Sequence, residues 1–217
     1  MKQSIPQSPV WVYFAAVLLP FNGGFINAAT LVSFLHNSVG YVTGNIAYAG
    51  TYFAEHDILM FFRMMLLIFS FLIGAIISSL IVKSEYYHRD YRYRVNLMLQ
   101  LMLVIVAMIL LRYHIMGCEY LLAGAMGVQN AMTTHYGSAL IRTTHMTGTT
   151  TDLGVLIAHW IKNNQVALWK IRLYLILILS FLVGAISGAV IFQAFSSNAF
   201  YVSISIYIIM IFLHKKQ

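Results

Sequence analysis

The sequence predicts an all-α membrane protein of about six transmembrane helices plus two short re-entrant half-helices, built as an inverted internal repeat. Three observations carry this. Apolar residues make up 60% of the chain and charged residues only 9%, with a mean hydropathy of +0.79, whereas a soluble domain is usually about 25% charged. Apolar runs of spanning length alternate with short polar gaps. Finally, a set of landmarks occurs twice. Thr43-Gly44-Asn45 leads to Gly50, and Thr147-Gly148-Thr149 leads to Asp152 and Gly154. Asn27-Ala28 is answered by Asn130-Ala131, and Ser70-Phe71-Leu72 with Gly74-Ala75-Ile76 by Ser180-Phe181-Leu182 with Gly184-Ala185-Ile186. The offsets are 130 − 27 = 103, 147 − 43 = 104 and 180 − 70 = 110. The chain therefore reads as two copies, residues 1–113 and 114–217.

Each element follows from its own pattern. Val10 to about Leu35 is long enough to cross a bilayer, which takes about 20 residues, although Pro20 and Gly23-Gly24 are expected to interrupt it near the middle. The amino terminus lacks a convincing cleavage site, so this first span is expected to be retained. Tyr41–Phe53 is short for a crossing and reads as a half-helix. Phe62–Val82 is a clear span, and Leu97–Leu111 with its flanks is another. In the second copy, Tyr120–Leu140, Met146–Trp160, Ile171–Phe192 and Phe200–Leu213 take the same four places.

Charge chooses the topology. If both short segments return on the side they entered, Lys2, Lys83, Arg89, Arg92, Arg94, Arg142, Lys162, Lys170, Arg172, Lys215 and Lys216 share one face. That is 11 of the 13 basic residues, with Arg63 and Arg112 opposite. The positive-inside rule makes that face cytoplasmic and puts both termini inside. If the short segments crossed fully, Arg142 and Lys162 would be separated. Three spans per copy is odd, so the second copy enters upside down, and the half-helices approach the midplane from opposite faces.

At a half-helix start, unpaired N–H groups and the positive dipole end face the interior. Thr43 and Thr147 are placed to cap those groups, Gly44 and Gly148 to admit a close neighbour, and Asn45 and Thr149 to add a side-chain hydrogen bond. This pattern suits a small polar or anionic solute; the alternative is small-residue helix packing. Asn27 and Asn130, inside the first run of each copy, either join helices or line the pathway, as do Asn22 and Gln129. Arg142 would attract or orient charge, flanked by His135 and His145. Asp152 is the one acid deep inside an apolar run, which makes it a candidate for proton coupling together with His145.

Other chemistries find little support. The net charge of +7 sits in gaps between apolar runs, and Arg89, Arg92 and Arg94 alternate with tyrosines beside a membrane; lipid phosphates account for them and nucleic acid is not expected. One cysteine, Cys118, excludes an internal disulfide. No His/Asp/Glu spacing resembles a metal-ligand set, and no cofactor is expected. There is no nucleophile–base pair or acid dyad, so the chain is not expected to be an enzyme.

With these residues in view, the sequence resembles the YoaK-like family of bacterial membrane proteins. The likeness rests on Gly24 to Ala28, Thr43-Gly44-Asn45, Gly127 to Ala131 with Gln129-Asn130, and Arg142-Thr143 leading to Thr147-Gly148-Thr149 and Asp152. It runs from about Val10 to Ala194. The resemblance implies a polytopic inner-membrane protein and brings no substrate or reaction. The expected function is a transporter or channel for a small polar or anionic solute, in contact with membrane lipids and able to form a homo-oligomer. The alternative is a non-transporting membrane scaffold or lipid-interacting protein.

Overall fold

The computed structural model describes residues 10–82, 91–136, 143–162 and 166–215. Among these the regular structure is helical: α1 (Val10–Val32), α2 (Val42–Ala54), α3 (Ile58–Ile81), α4 (Tyr91–Arg112), α5 (Cys118–Tyr136), α6 (Met146–Ile161), α7 (Leu168–Phe195) and α8 (Phe200–Lys215), with a 3-10 turn at Ser196–Ala199 before α8. Among the described residues four stretches are long and apolar enough to cross a membrane, Phe14–Val32, Ile58–Ile81, Tyr91–Arg112 and Leu168–His214. The last of these contains both α7 and α8. Composition and helix length together mark a membrane protein.

Local chemistry sets the boundaries. Asp57 caps α3 by accepting from the Met60 amide at 3.0 Å. His56, at φ 60°, makes the turn out of α2. Between α4 and α5 the chain turns at Gly117, whose φ of 104° suits glycine. Its amide donates to Glu119 Oε2 at 2.8 Å. One expectation is corrected: α1 continues unbroken through Pro20 and Gly23-Gly24. Pro20 removes one amide donor from the ladder, but neighbouring helices hold the segment on several sides.

Two glycine-lined seams do that holding. A Cβ on Gly24 of α1 would overlap the Phe181 carbonyl of α7, and a Cβ on Gly184 would overlap the Phe21 carbonyl of α1. Gly188 meets Phe25 in the same way, so α1 and α7 run side by side in one direction. In the other seam, Gly127 of α5 lies against the Phe71 carbonyl of α3 and Gly74 against that of Gly124. An ion pair between Arg63 and Glu119, one turn or two from the starts of α3 and α5, makes these two helices parallel as well. Close backbone approach across small residues is the usual way helices associate where no hydrophobic drive separates lipid from protein.

The remaining helices fill in around the seams. α4 packs on α5 and α8 on α1, where Phe25 meets Phe200 edge to face with centroids 6.5 Å apart. Tyr93, at the start of α4, stacks on His214, at the end of α8, with centroids 6.4 Å apart, so α4 and α8 run in opposite directions. The short helices sit outside this core. α2 packs on α3 and α6 on α7, and they share no extensive contact with one another.

Candidate functional site

Each short helix is entered through a polar lead-in that an asparagine holds inside the bundle. Asn27 of α1 donates its amide to the Gly23 carbonyl at 2.8 Å. Its Oδ1 is then free to accept from the Gly40 amide at 2.7 Å and the Ser38 hydroxyl at 2.9 Å. Asn130 of α5 donates to the Met126 carbonyl at 2.8 Å and accepts from the Thr144 hydroxyl at 2.8 Å and that of Thr143 at 3.4 Å. Because 126 − 23 and 130 − 27 both equal 103, the two clamps are the same device. Buried amides thus tie the chain down rather than standing open to a pathway.

The lead-ins cross between the two copies. Gly40 lies against the Met126 side chain of α5, and Gly23 of α1 lies under the Thr144 methyl. Between them Gln129 of α5 reaches α1, donating to the Leu19 carbonyl at 3.0 Å and to Thr143 Oγ1 at 3.2 Å. Gln129 Oε1 accepts from the hydroxyl of Tyr207, a fully buried residue of α8, at 3.2 Å. The Ser203 hydroxyl of α8 donates to Asn22 of α1. The starts of α2 and α6 therefore flank the region where α1, α5 and α8 share a buried polar network.

At the starts themselves the expected capping is not made. Thr43 and Thr147 are already second residues of their helices, and the N-cap positions belong to Tyr41 and His145, whose side chains do not cap. Thr43 and Thr147 are exposed, while Asn45 and Thr149, two residues on, turn inward. Asn45 is 1% exposed. Its amide donates to the Ser38 carbonyl at 3.4 Å, and its Oδ1 is buried without a partner. Thr149 donates to the His145 carbonyl at 3.1 Å. Gly44 has a different reason from the one expected, because a Cβ there would overlap the Tyr41 ring, so that ring fills the space. Gly148 is half-buried.

The deep acid is also elsewhere. Asp152 is exposed at the bundle surface, because α6 turns inward only through Thr149 and Leu153. His145 is exposed too, and Arg142 lies outside the described residues. Among the described residues, Glu119 is the buried acid, at 1% exposure. Its Oε1 accepts from Arg63 Nη2 at 3.0 Å and Nε at 3.2 Å, and its Oε2 from the Gly117 amide. A carboxylate removed from water needs such partners. The signal in the sequence was an acid opening one apolar run and an arginine near the opening of another.

A family model described as "Protein of unknown function (DUF1275)" matches residues 15–213. No curated protein matches the chain, and no solved structure does.

Proposed function

The chain belongs to this family, and we propose that it is a transporter or channel for a small polar or anionic solute. In this reading it has six spans in two inverted halves and resides in the bacterial inner membrane with both termini cytoplasmic. The solute site lies between the starts of α2 and α6. The observation that carries the reading is the pair of asparagine clamps, which fix a polar lead-in against the opposite copy's first helix at matching positions. Irregular backbone of this kind is tolerated at membrane depth where protein or a water-filled cavity surrounds it.

The inverted arrangement draws support from the stacking of Tyr93 on His214. Equivalent helices α4 and α8 would run the same way if α2 and α6 crossed fully, and in opposite directions if both were re-entrant. Asn45 and Thr149 are the inward polar groups that would meet the solute, with Thr43 and Thr147 at the rim. Gly44 leaves the solute site because Tyr41 covers it. Asp152 and His145 stay near the second start, as groups that would attract charge or pass a proton, and Arg142 keeps its proposed role of attracting or orienting charge.

Two experiments test this. For topology, single cysteines at Asp57, Tyr113 and Lys162, in a Cys118→Ser background, are labelled in whole cells with an impermeant reagent. Re-entrant short helices label the first two and spare the third; all three on one side would mean full crossings and end the inverted reading. For the site, purified protein in liposomes is assayed for uptake of chloride, nitrate, formate and acetate. The Asn45→Leu/Thr149→Val double variant should lose at least nine-tenths of the flux, on the order of the tenfold change that about 1.4 kcal/mol produces. Equal flux in the folded variant would place the pathway elsewhere.

A further inference from the structure

At the end of the bundle remote from Glu119, three polar side chains are buried where α4 meets α3 and α5. Ser78, Asn96 and Gln100 are all fully buried. Asn96 donates its amide to the Ser78 carbonyl at 3.5 Å, and Gln100 donates to the Asn96 carbonyl at 3.0 Å with the Met132 sulfur of α5 at 3.8 Å from the same nitrogen. These bonds orient both amides, since reversing either would set its oxygen against a carbonyl oxygen. Asn96 Oδ1, Gln100 Oε1 and Ser78 Oγ are then left buried with no hydrogen-bond partner. Each such group costs about 1–3 kcal/mol when nothing satisfies it, so three together call for an occupant.

The chemistry of the walls selects one. All three groups are neutral oxygens, and the acids among the described residues, Glu55, Asp57, Glu119 and Asp152, belong to other parts of the molecule. Three neutral hard oxygen donors suit a monovalent alkali cation better than Mg²⁺ or Ca²⁺, whose dehydration calls for charged ligands. Ser78 is in the last turn of α3, which ends at Ile81, so the negative end of that helix dipole faces the cluster. The facing groups on neighbouring elements are Met132 of α5 and, one turn along α4, Tyr93 stacked on His214 of α8. Of the arginines opening α4, Arg94 lies about 200° around the helix from Asn96 at 100° per residue, which turns its charge away, while Arg92, one turn before Asn96 on the same face, has its guanidinium over the Tyr91 ring at 6.0 Å.

We propose that Ser78, Asn96 and Gln100 form a binding site for an alkali cation, a site separate from the starts of α2 and α6. The site stands or falls independently of the transported solute. The test is thermal unfolding of the purified full-length protein in detergent, in NaCl, KCl or choline chloride at equal ionic strength. The unfolding midpoint should rise in Na⁺ or K⁺ relative to choline and saturate with concentration, and Gln100→Leu and Ser78→Ala should each abolish the difference. Equal midpoints in all three salts would overturn the proposal and leave water as the occupant. A difference that survives in both variants would also overturn it. Gln100→Glu guards against a variant that does not fold, since a carboxylate in the same place should lower the half-saturating cation concentration by about tenfold; an unchanged value counts against the site.

Discussion

At the seam between α1 and α7, Gly24 lies on the Phe181 carbonyl and Gly184 on that of Phe21; at the seam between α3 and α5, Gly127 lies on Phe71 and Gly74 on Gly124. Shifting the first pair of contacts by 127 − 24 = 103 in α1 and 181 − 71 = 110 in α7 gives the second pair. Apart from the matching Asn27 and Asn130 clamps, much of the polar interior beside the seams shows no such correspondence. The buried acid Glu119 stands opposite Ala16, Gln129 opposite Ile26, and Asn22 opposite Ala125, all at the offset of 103. The backbone packing and the asparagine clamps thus recur at these offsets, while the ion pair, Gln129 and Asn22 stand on one side only. A symmetric frame supplies the geometry, and its polar filling is asymmetric.

This comparison can be broken at several points. The largest effect is expected at the asymmetric ion pair. Glu119→Ala leaves Arg63 without its partner in a mostly buried position and should cost about 3–5 kcal/mol. Replacing both, as Arg63→Met/Glu119→Leu, should recover most of that loss. Chemical denaturation in detergent measures both, and a double variant as unstable as the single would show that the pair is not the cause.

Next come the seams. Gly24→Ala and Gly127→Ala each drive a methyl into a backbone carbonyl that cannot step aside, and each should cost about 3 kcal/mol. The symmetric reading predicts that the two losses agree within about 1 kcal/mol, whereas a large disparity would mean that the seams only look alike.

The clamps should differ slightly. Asn27 accepts from a backbone amide, that of Gly40, which cannot rotate to another partner. Asn130 accepts from two hydroxyls, which can. Asn27→Leu should therefore cost about 2 kcal/mol and Asn130→Leu about 1 kcal/mol. Hydrogen exchange should quicken at residues 38–45 in the first variant and at 143–149 in the second. The reverse order of costs would remove the distinction between them.

The smallest effects belong to Gly50 and Gly154, which have open space where a Cβ would go. Gly50→Ala and Gly154→Ala should stabilise their helices by up to about 1 kcal/mol. A loss of oligomer or of folded protein instead would reveal that these faces are covered in the membrane.

Much of the frame was legible beforehand because it is written in local pattern. The eight helical segments follow the apolar runs: Tyr41–Phe53 became Val42–Ala54 and Met146–Trp160 became Met146–Ile161. The clamps were half-legible, since Asn27 and Asn130 stood out as polar residues at matching places, but whether they faced a pathway or a carbonyl depended on residues 11 to 14 positions away. The Thr-Gly starts misled in one respect. Their threonines fell inside the helix because the preceding turns already supply positions Tyr41 and Val42, His145 and Met146.

What the sequence determined by itself is the membrane setting, the helix order and the recurrence of its landmarks, since each follows from composition, run length and pattern along the chain. What only the tertiary structure decided is which polar groups are buried together. Arg63 and Glu119 are 119 − 63 = 56 residues apart, and Asn22 and Ser203 are 203 − 22 = 181 apart. Periodicity tells which face of a helix is apolar but not which helix it will meet. The pairing of charges, amides and hydroxyls across the bundle is fixed only once the glycine seams have set the helices side by side.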